Sequence, residues 1–236
     1  MKELNPTSWI YWFGIVTITC MLLPVVVMLA KKQFTPGVIA LSIYFLSTFI
    51  YNLLLIVFPD FPKEIRRNIG ISNNILDTPL MLLFLSQFTF NPGIKKLMRN
   101  ALVAFMIFEL CIIVVYGFSV KAISIFSGPG LLLILSFSFY FFTRHIRLAI
   151  TQRVDIPKTM MISGILFAYA VYFMVYLFYY ILETPHKTDA LIIYFLASIV
   201  ASILLSAGLI REKNAVRKES GKERSTKTVP TILSRS

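Results

Sequence analysis

Residues Ser8–Ala30 read SWIYWFGIVTITCMLLPVVVMLA, 23 positions without one Asp, Glu, Lys, Arg or His. A helix of that length rises about 1.5 Å per residue and crosses a hydrocarbon core of about 30 Å. Only Lys2 precedes the run, which outlasts a signal-peptide core, and no small-x-small cleavage pattern follows it, so a retained helix is expected. Trp9, Tyr11 and Trp12 open it as an interfacial aromatic belt would. Six more runs of the same kind follow, at Pro36–Phe58, Ile71–Phe90, Asn100–Val120, Ile125–Ile146, Lys158–Leu182 and Asp189–Ile210. The expected fold is therefore all-α, a polytopic transmembrane bundle of seven helices forming one domain over 1–210. A tail over 211–236 remains.

The composition agrees. The 236 residues are 57% hydrophobic and 14% charged, where a soluble domain carries about 25% charge. Mean hydropathy is +0.77. Pro59, Pro62 and Pro92 stand just beyond span ends, where proline breaks no ladder. Pro24 lies within the first span and should kink it, and Pro79 lies within the third. Ser127-Gly128-Pro129-Gly130 is expected to interrupt the beginning of the fifth.

Lys and Arg set the orientation. With the N-terminus outside, 17 of them fall on the cytoplasmic side and 6 on the outer side. The inner set is Lys31, Lys32, Lys95, Lys96, Arg99, Arg144, Arg147, Arg153, Lys158 and eight in the tail. The tail, with 8 cations against 3 Glu among Ser, Thr and Gly, cannot bury a core and is expected to be disordered. It fixes topology and can touch anionic lipid head groups. The net charge of +12 is thus a membrane signal. Nucleic acid is not an expected partner, since neither aromatic platforms nor a folded basic face accompany the charge.

No metal site or catalytic pair is expected. Cys20 and Cys111 fall within spans, and His145 and His186 stand alone in opposite flanks. The chemistry therefore rests on ionisable groups inside spans, which are costly and face a bundle interior or cavity. Asp77 follows Asn73 by four residues and Asn74 by three, so the three share a helix face. That face is either a ligand, ion or proton site, or a hydrogen-bonded clasp between helices. Glu109 stands alone near mid-span, as part of a proton relay or as a neutral acid. Asp77 and Glu109 are the possible proton sites.

The sixth span carries Tyr169, Tyr172, Tyr176, Tyr179 and Glu183 at spacings of 3, 4, 3 and 4, one face of a helix. The seventh carries Tyr194, Ser198, Ser202 and Ser206 among Ala197 and Ala201, small residues that allow close helix contact. Tyr51 and Asn52 occupy the outer half of the second span. Tyr51, Asn52, Asn73, Asn74, Asp77, Tyr172, Tyr176, Tyr179, Glu183, Tyr194 and Ser198 accordingly make a candidate outer binding pocket.

The segment Asn73-Asn74-Ile75-Leu76-Asp77-Thr78-Pro79-Leu80-Met81-Leu82-Leu83 resembles the third helix of microbial rhodopsins. In that family a carboxylate or polar residue precedes a Thr-Pro-Leu-rich run in a seven-helix, N-out bundle. The resemblance implies the bundle and a pocket for an apolar ligand. It does not extend to retinal as a covalent cofactor, because no lysine lies between Lys187 and Lys213 and no Schiff base can form. The aspartate is also about one helical turn away from the family's counter-ion level. No cofactor is expected.

Three functions are compatible with these residues. The first is a non-covalent small-molecule or lipid binding or sensory protein. The second is a small proton-coupled transporter, suggested by a faint repeat at an offset of 121 that pairs Pro36 with Pro157, Ser42 with Ser163, Tyr51 with Tyr172 and Asp77 with Ser198. Spans one to three would then echo five to seven, a 3+1+3 plan. The third is an intramembrane lipid-modifying enzyme, against which stands the lack of a second carboxylate on the Asp77 face or of a nucleophile–base pair. No Asn-x-Ser/Thr acceptor with a permitted middle residue occurs, in keeping with a bacterial inner membrane.

Overall fold

A computed structural model describes residues 9–56, 58, 62–152, 155–182 and 187–227. The helices are α1 (Trp9–Met21), α2 (Leu23–Lys31), α3 (Pro36–Ile56), α4 (Lys63–Leu85), α5 (Pro92–Tyr116), α6 (Val120–Gln152), α7 (Ile156–Tyr176) and α8 (Lys187–Lys227). A 3-10 turn, Ser86–Phe88, extends α4, and a π turn, Leu177–Ile181, extends α7. With α1 and α2 taken as one span, the described residues contain seven helices long and apolar enough to cross a membrane. They contain no strand. These are the dimensions of a multi-pass membrane protein.

The helices close into a ring. The α1–α2 span packs on α3 and α8, α3 on α4, α4 on α6, α6 on α7, and α7 on α8. Helix α5 lies against α4 and α6, on the outside, with only Met98, Phe105 and Glu109 fully buried. Its far face is apolar and open, with Val114 85% exposed. Lipid is the solvent that such a surface requires.

Proline accounts for the break in the first span. Pro24 has no N–H to give the Cys20 carbonyl, and the chain turns at Leu22, whose N–H reaches Thr19 O at 3.2 Å in place of the regular partner. Pro92 instead opens α5, where its missing donor costs nothing, and the Asn91 side chain caps the next amide, Gly93 N, at 2.9 Å.

The expected interruption of the fifth span at Ser127–Gly130 does not occur. Helix α6 begins at Val120 and runs through Pro129. The two glycines are there for close packing: a Cβ on Gly128 would meet the Tyr176 hydroxyl at 2.7 Å, and one on Gly130 would collide with Thr78 and the Phe105 ring. Other span ends move as well. The fourth closes at Tyr116 rather than Val120, and the third opens at Lys63 rather than Ile71. Asp77 therefore lies about 21 Å along α4, deeper than two turns from its start. Helix α8 continues past Ile210, so the backbone of 211–227, the first part of the predicted tail, is helical.

Small residues bring α7 and α8 together, as the seventh-span pattern predicts. Ala197, Ser198, Ala201 and Ser202 are buried. Gly208 passes so close to α7 that a Cβ there would meet the Pro157 carbonyl at 2.8 Å.

At the Lys31 end of the bundle a buried imidazole ties two turns together. His145 Nε2 faces the Phe88 carbonyl at 3.0 Å, and Nδ1 faces the Asp155 carboxylate at 3.2 Å. Both partners are acceptors, and each ring nitrogen faces one of them. Lys158 Nζ holds the other Asp155 oxygen at 2.9 Å. Burial pushes the Asp155 carboxyl up, but the hydrogen bonds and charges of Lys158 and His145 outweigh it and hold the carboxyl below its ordinary value. Asp155 itself adopts a left-handed backbone, φ 63°, a conformation that Asp tolerates better than most residues.

Candidate functional site

A cleft of about 200 Å³ runs from the middle of the bundle toward the end that carries Trp9. Five elements supply its walls: Tyr44 from α3, Asn73, Asn74, Asp77 and Thr78 from α4, Ile123, Ser127 and Leu131 from α6, Tyr172, Val175, Tyr176 and Tyr180 from α7 and its π turn, and Tyr194 from α8.

Among the described residues Asp77 is the one carboxylate in the lining, and no Lys, Arg or His accompanies it. It accepts a hydrogen bond from the Tyr169 hydroxyl. It is only partly buried, because its remaining surface opens into the cleft. Among the described residues no basic side chain pairs with it.

Two of the five tyrosine hydroxyls in the lining donate to protein acceptors. Ser198 Oγ donates to the Tyr194 carbonyl at 2.8 Å, so the Tyr172 hydroxyl donates to Ser198 Oγ at 2.7 Å. The Tyr176 hydroxyl donates to the Ser124 carbonyl at 2.7 Å. What these side chains leave to the cleft is ring surface. Tyr172 and Tyr194 lie 4.9 Å apart between centroids, and Tyr176 and Tyr180 lie 5.5 Å apart.

Asn73 Oδ1 accepts from Ser47 and, at 3.3 Å, from Thr48. Asn73 also lines a groove of about 380 Å³ on the membrane-facing side of α3 and α4, with Ser47, Asn68 and Ser72. The Asn74 amide nitrogen donates to the Gly70 carbonyl at 2.8 Å, which leaves its Oδ1 available as an acceptor.

Of the residues that the sequence nominates, Asn73, Asn74, Asp77, Tyr172, Tyr176 and Tyr194 meet in this lining. Ser198 and Asn52 stand behind it. Ser198 supports Tyr172, and Asn52, 5% exposed, donates to the Thr48 carbonyl at 2.8 Å. Tyr51 turns toward α4 at Gly70, where a Cβ would come within 2.7 Å of its ring. Tyr179 packs edge-on against Tyr180 at 4.8 Å and is not part of the lining. Glu183 lies outside the described residues. Glu109 is 2% exposed between α5 and its neighbours. It is not in the lining, but it lies within electrostatic reach of Asp77, and its Oε1 has no hydrogen-bond partner among the described residues.

The exchange of Tyr179 for Tyr180 has a mechanical cause. A π turn holds one residue more than an α turn, so past Tyr176 the stripe of spacing 3 and 4 slips by one position. Tyr44 and Tyr169 were legible in part: Tyr169 begins the sixth-span stripe, and Tyr44 precedes Tyr51 by seven residues, two turns of helix. Thr78 and Ser127 carried no signal beyond being polar within a span.

Among the described residues no group of three His, Cys, Asp or Glu could hold a metal ion. The lining instead offers one carboxylate, two amides, two hydroxyl side chains and five phenol rings. Compared with protein-family models, with curated proteins and with solved structures, the chain matches none.

Proposed function

We propose that this protein binds a small molecule non-covalently in the Asp77 cleft and acts as a membrane receptor or sensor. The observation that carries the reading is convergence: side chains from α3, α4, α6, α7 and α8 present one carboxylate and a set of rings to a single cleft. A structural clasp would close around its own polar groups, whereas Asp77 keeps free surface. Clefts of this kind are the default binding sites of helical bundles. The 17-to-6 division of cations supports a cleft open to the outside, with the N-terminus outside and the C-terminus in the cytoplasm. A bacterial inner membrane is the corresponding location, and anionic head groups are the natural contact of the basic tail. The resemblance of 73–83 to the third rhodopsin helix supports a shared bundle plan without a covalent chromophore, since 188–212 holds no lysine.

The test is native mass spectrometry of the full chain in mild detergent. The wild type should carry a small molecule that is lost from Asp77→Asn combined with Tyr176→Phe. Identical spectra and identical thermal stability of the two proteins would remove the reading.

Glu109 favours a second reading, proton-coupled transport. A buried carboxyl with an unpartnered oxygen, within reach of Asp77, is a group on which a proton could pause. Proteoliposomes loaded with a pH-sensitive dye separate the readings: a transporter acidifies or alkalises the lumen when substrate is added, and a receptor does not.

A further inference from the structure

We infer that the ligand of the Asp77 cleft is a small organic ammonium ion. The inference rests on the cleft being a binding site and names its chemical class.

Charge decides the sign. Asp77 lies where the surroundings are apolar, with a Tyr169 hydrogen bond and no basic partner among the described residues. An anionic ligand would bring a second negative charge to a lining in which the described residues include no Lys, Arg or His. A neutral apolar ligand would leave the carboxyl to be neutralised by a proton instead of a counter-charge, so its binding would gain nothing from Asp77. A cation is the ligand that turns this carboxylate from a cost into a contact.

The tyrosines decide the kind of cation. Tyr172 and Tyr176 commit their hydroxyls to Ser198 and to the Ser124 carbonyl. A bare metal ion requires a shell of oxygen ligands, and among the described residues Asp77 is the one anionic ligand in the lining, with no group of three His, Cys, Asp or Glu to hold an ion. Phenol rings remain, from Tyr44, Tyr172, Tyr176, Tyr180 and Tyr194. Aromatic rings attract alkylammonium groups through their quadrupole, and cages of rings beside a carboxylate are how quaternary ammonium ligands are recognised. Asn74 Oδ1 adds an acceptor for an N–H or hydroxyl. The volume, about 200 Å³, is below the 300–1,000 Å³ of drug-sized sites, so the ammonium ion is small.

The test uses the full chain in nanodiscs with choline, tetramethylammonium and benzyltrimethylammonium as probes. Each is set against its uncharged carbon isostere, 3,3-dimethylbutan-1-ol for choline, and thermal unfolding and calorimetric titration are read. At least one ammonium ion should raise the unfolding midpoint and bind about tenfold or more tightly than its isostere. Tyr172→Phe should keep the response because it keeps the ring, and Tyr172→Leu should weaken it. Asp77→Asn should abolish the preference for charge. Equal binding of ion and isostere, or no ammonium binding at all, overturns the inference, and neither outcome depends on any variant folding. Ammonium failure together with a neutral or anionic molecule seen by native mass spectrometry leaves the binding reading in place. Failure of all probes with nothing co-purifying removes both.

Discussion

Tyr169 donates a hydrogen bond to Asp77, and the pair joins α7 to α4 at the floor of the cleft. Replacing Tyr169 by Phe keeps the ring and removes the donor. The expected result is a loss of about 0.5–1.5 kcal/mol of stability, the usual net contribution of an intramolecular hydrogen bond, measured by chemical unfolding in detergent. A ligand that pairs with Asp77 should recover part of that loss. The His145–Asp155–Lys158 cluster is the corresponding polar joint at the opposite end. Asp155 is held below its ordinary value in the folded protein, so it binds a proton less readily folded than unfolded. Its contribution is complete above the unfolded carboxylate value of about 4 and is lost as the pH falls through the lower folded value. Unfolding midpoints measured across that range should fall more steeply for the wild type than for Asp155→Asn, and equal slopes would refute this role.

Two elements shape the cleft through their backbones. Helix α6 brings Gly128 against Tyr176, and the π turn after α7 presents Tyr180 in place of Tyr179. At Gly128 a Cβ would meet both the hydroxyl and the ring of Tyr176. Gly128→Leu should therefore swing that ring out, break its bond to the Ser124 carbonyl and cost about 1–3 kcal/mol as an overpacked contact. Loss of ligand response with the fold retained is the expected readout. The contact between α7 and α8 depends on Gly208 in the same way, but there the obstacle is the Pro157 carbonyl, which cannot rotate aside. Gly208→Val should destabilise the protein by at least as much without changing ligand selectivity in whatever fraction folds. A Gly208→Val protein of wild-type stability would show that the two helices do not approach as closely as described.

For the whole molecule the testable property is its direction in the membrane. Lys95 and Lys121 are exposed at opposite ends of the bundle, on α5 and α6, and belong to the two sides of the cation count. In a background with Cys20 and Cys111 replaced by Ser, Lys121→Cys should react with a membrane-impermeant maleimide added to intact cells. Lys95→Cys should react only after permeabilisation. The reverse pattern would invert the topology and turn the Asp77 cleft toward the cytoplasm.

Seven spans were legible in the chain because apolar length is a local property: a run such as Ser8–Ala30 has the same meaning wherever its neighbours stand. The Asp77–Asn74–Asn73 face and the first part of the tyrosine stripe were legible for the same reason, since helical spacing places them without tertiary information. Three things were decided only in the assembled bundle. Pro129 stays within α6 because neighbouring helices fill the space that its glycines leave. Tyr180 replaces Tyr179 because a π turn shifts the register by one residue. Tyr169, rather than Asn73 or Asn74, donates to Asp77, because a hydrogen bond between residues 92 positions apart depends on how two helices dock. Periodicity gives each helix its polar face, but only docking decides which faces meet and which hydroxyls are used up before a ligand arrives.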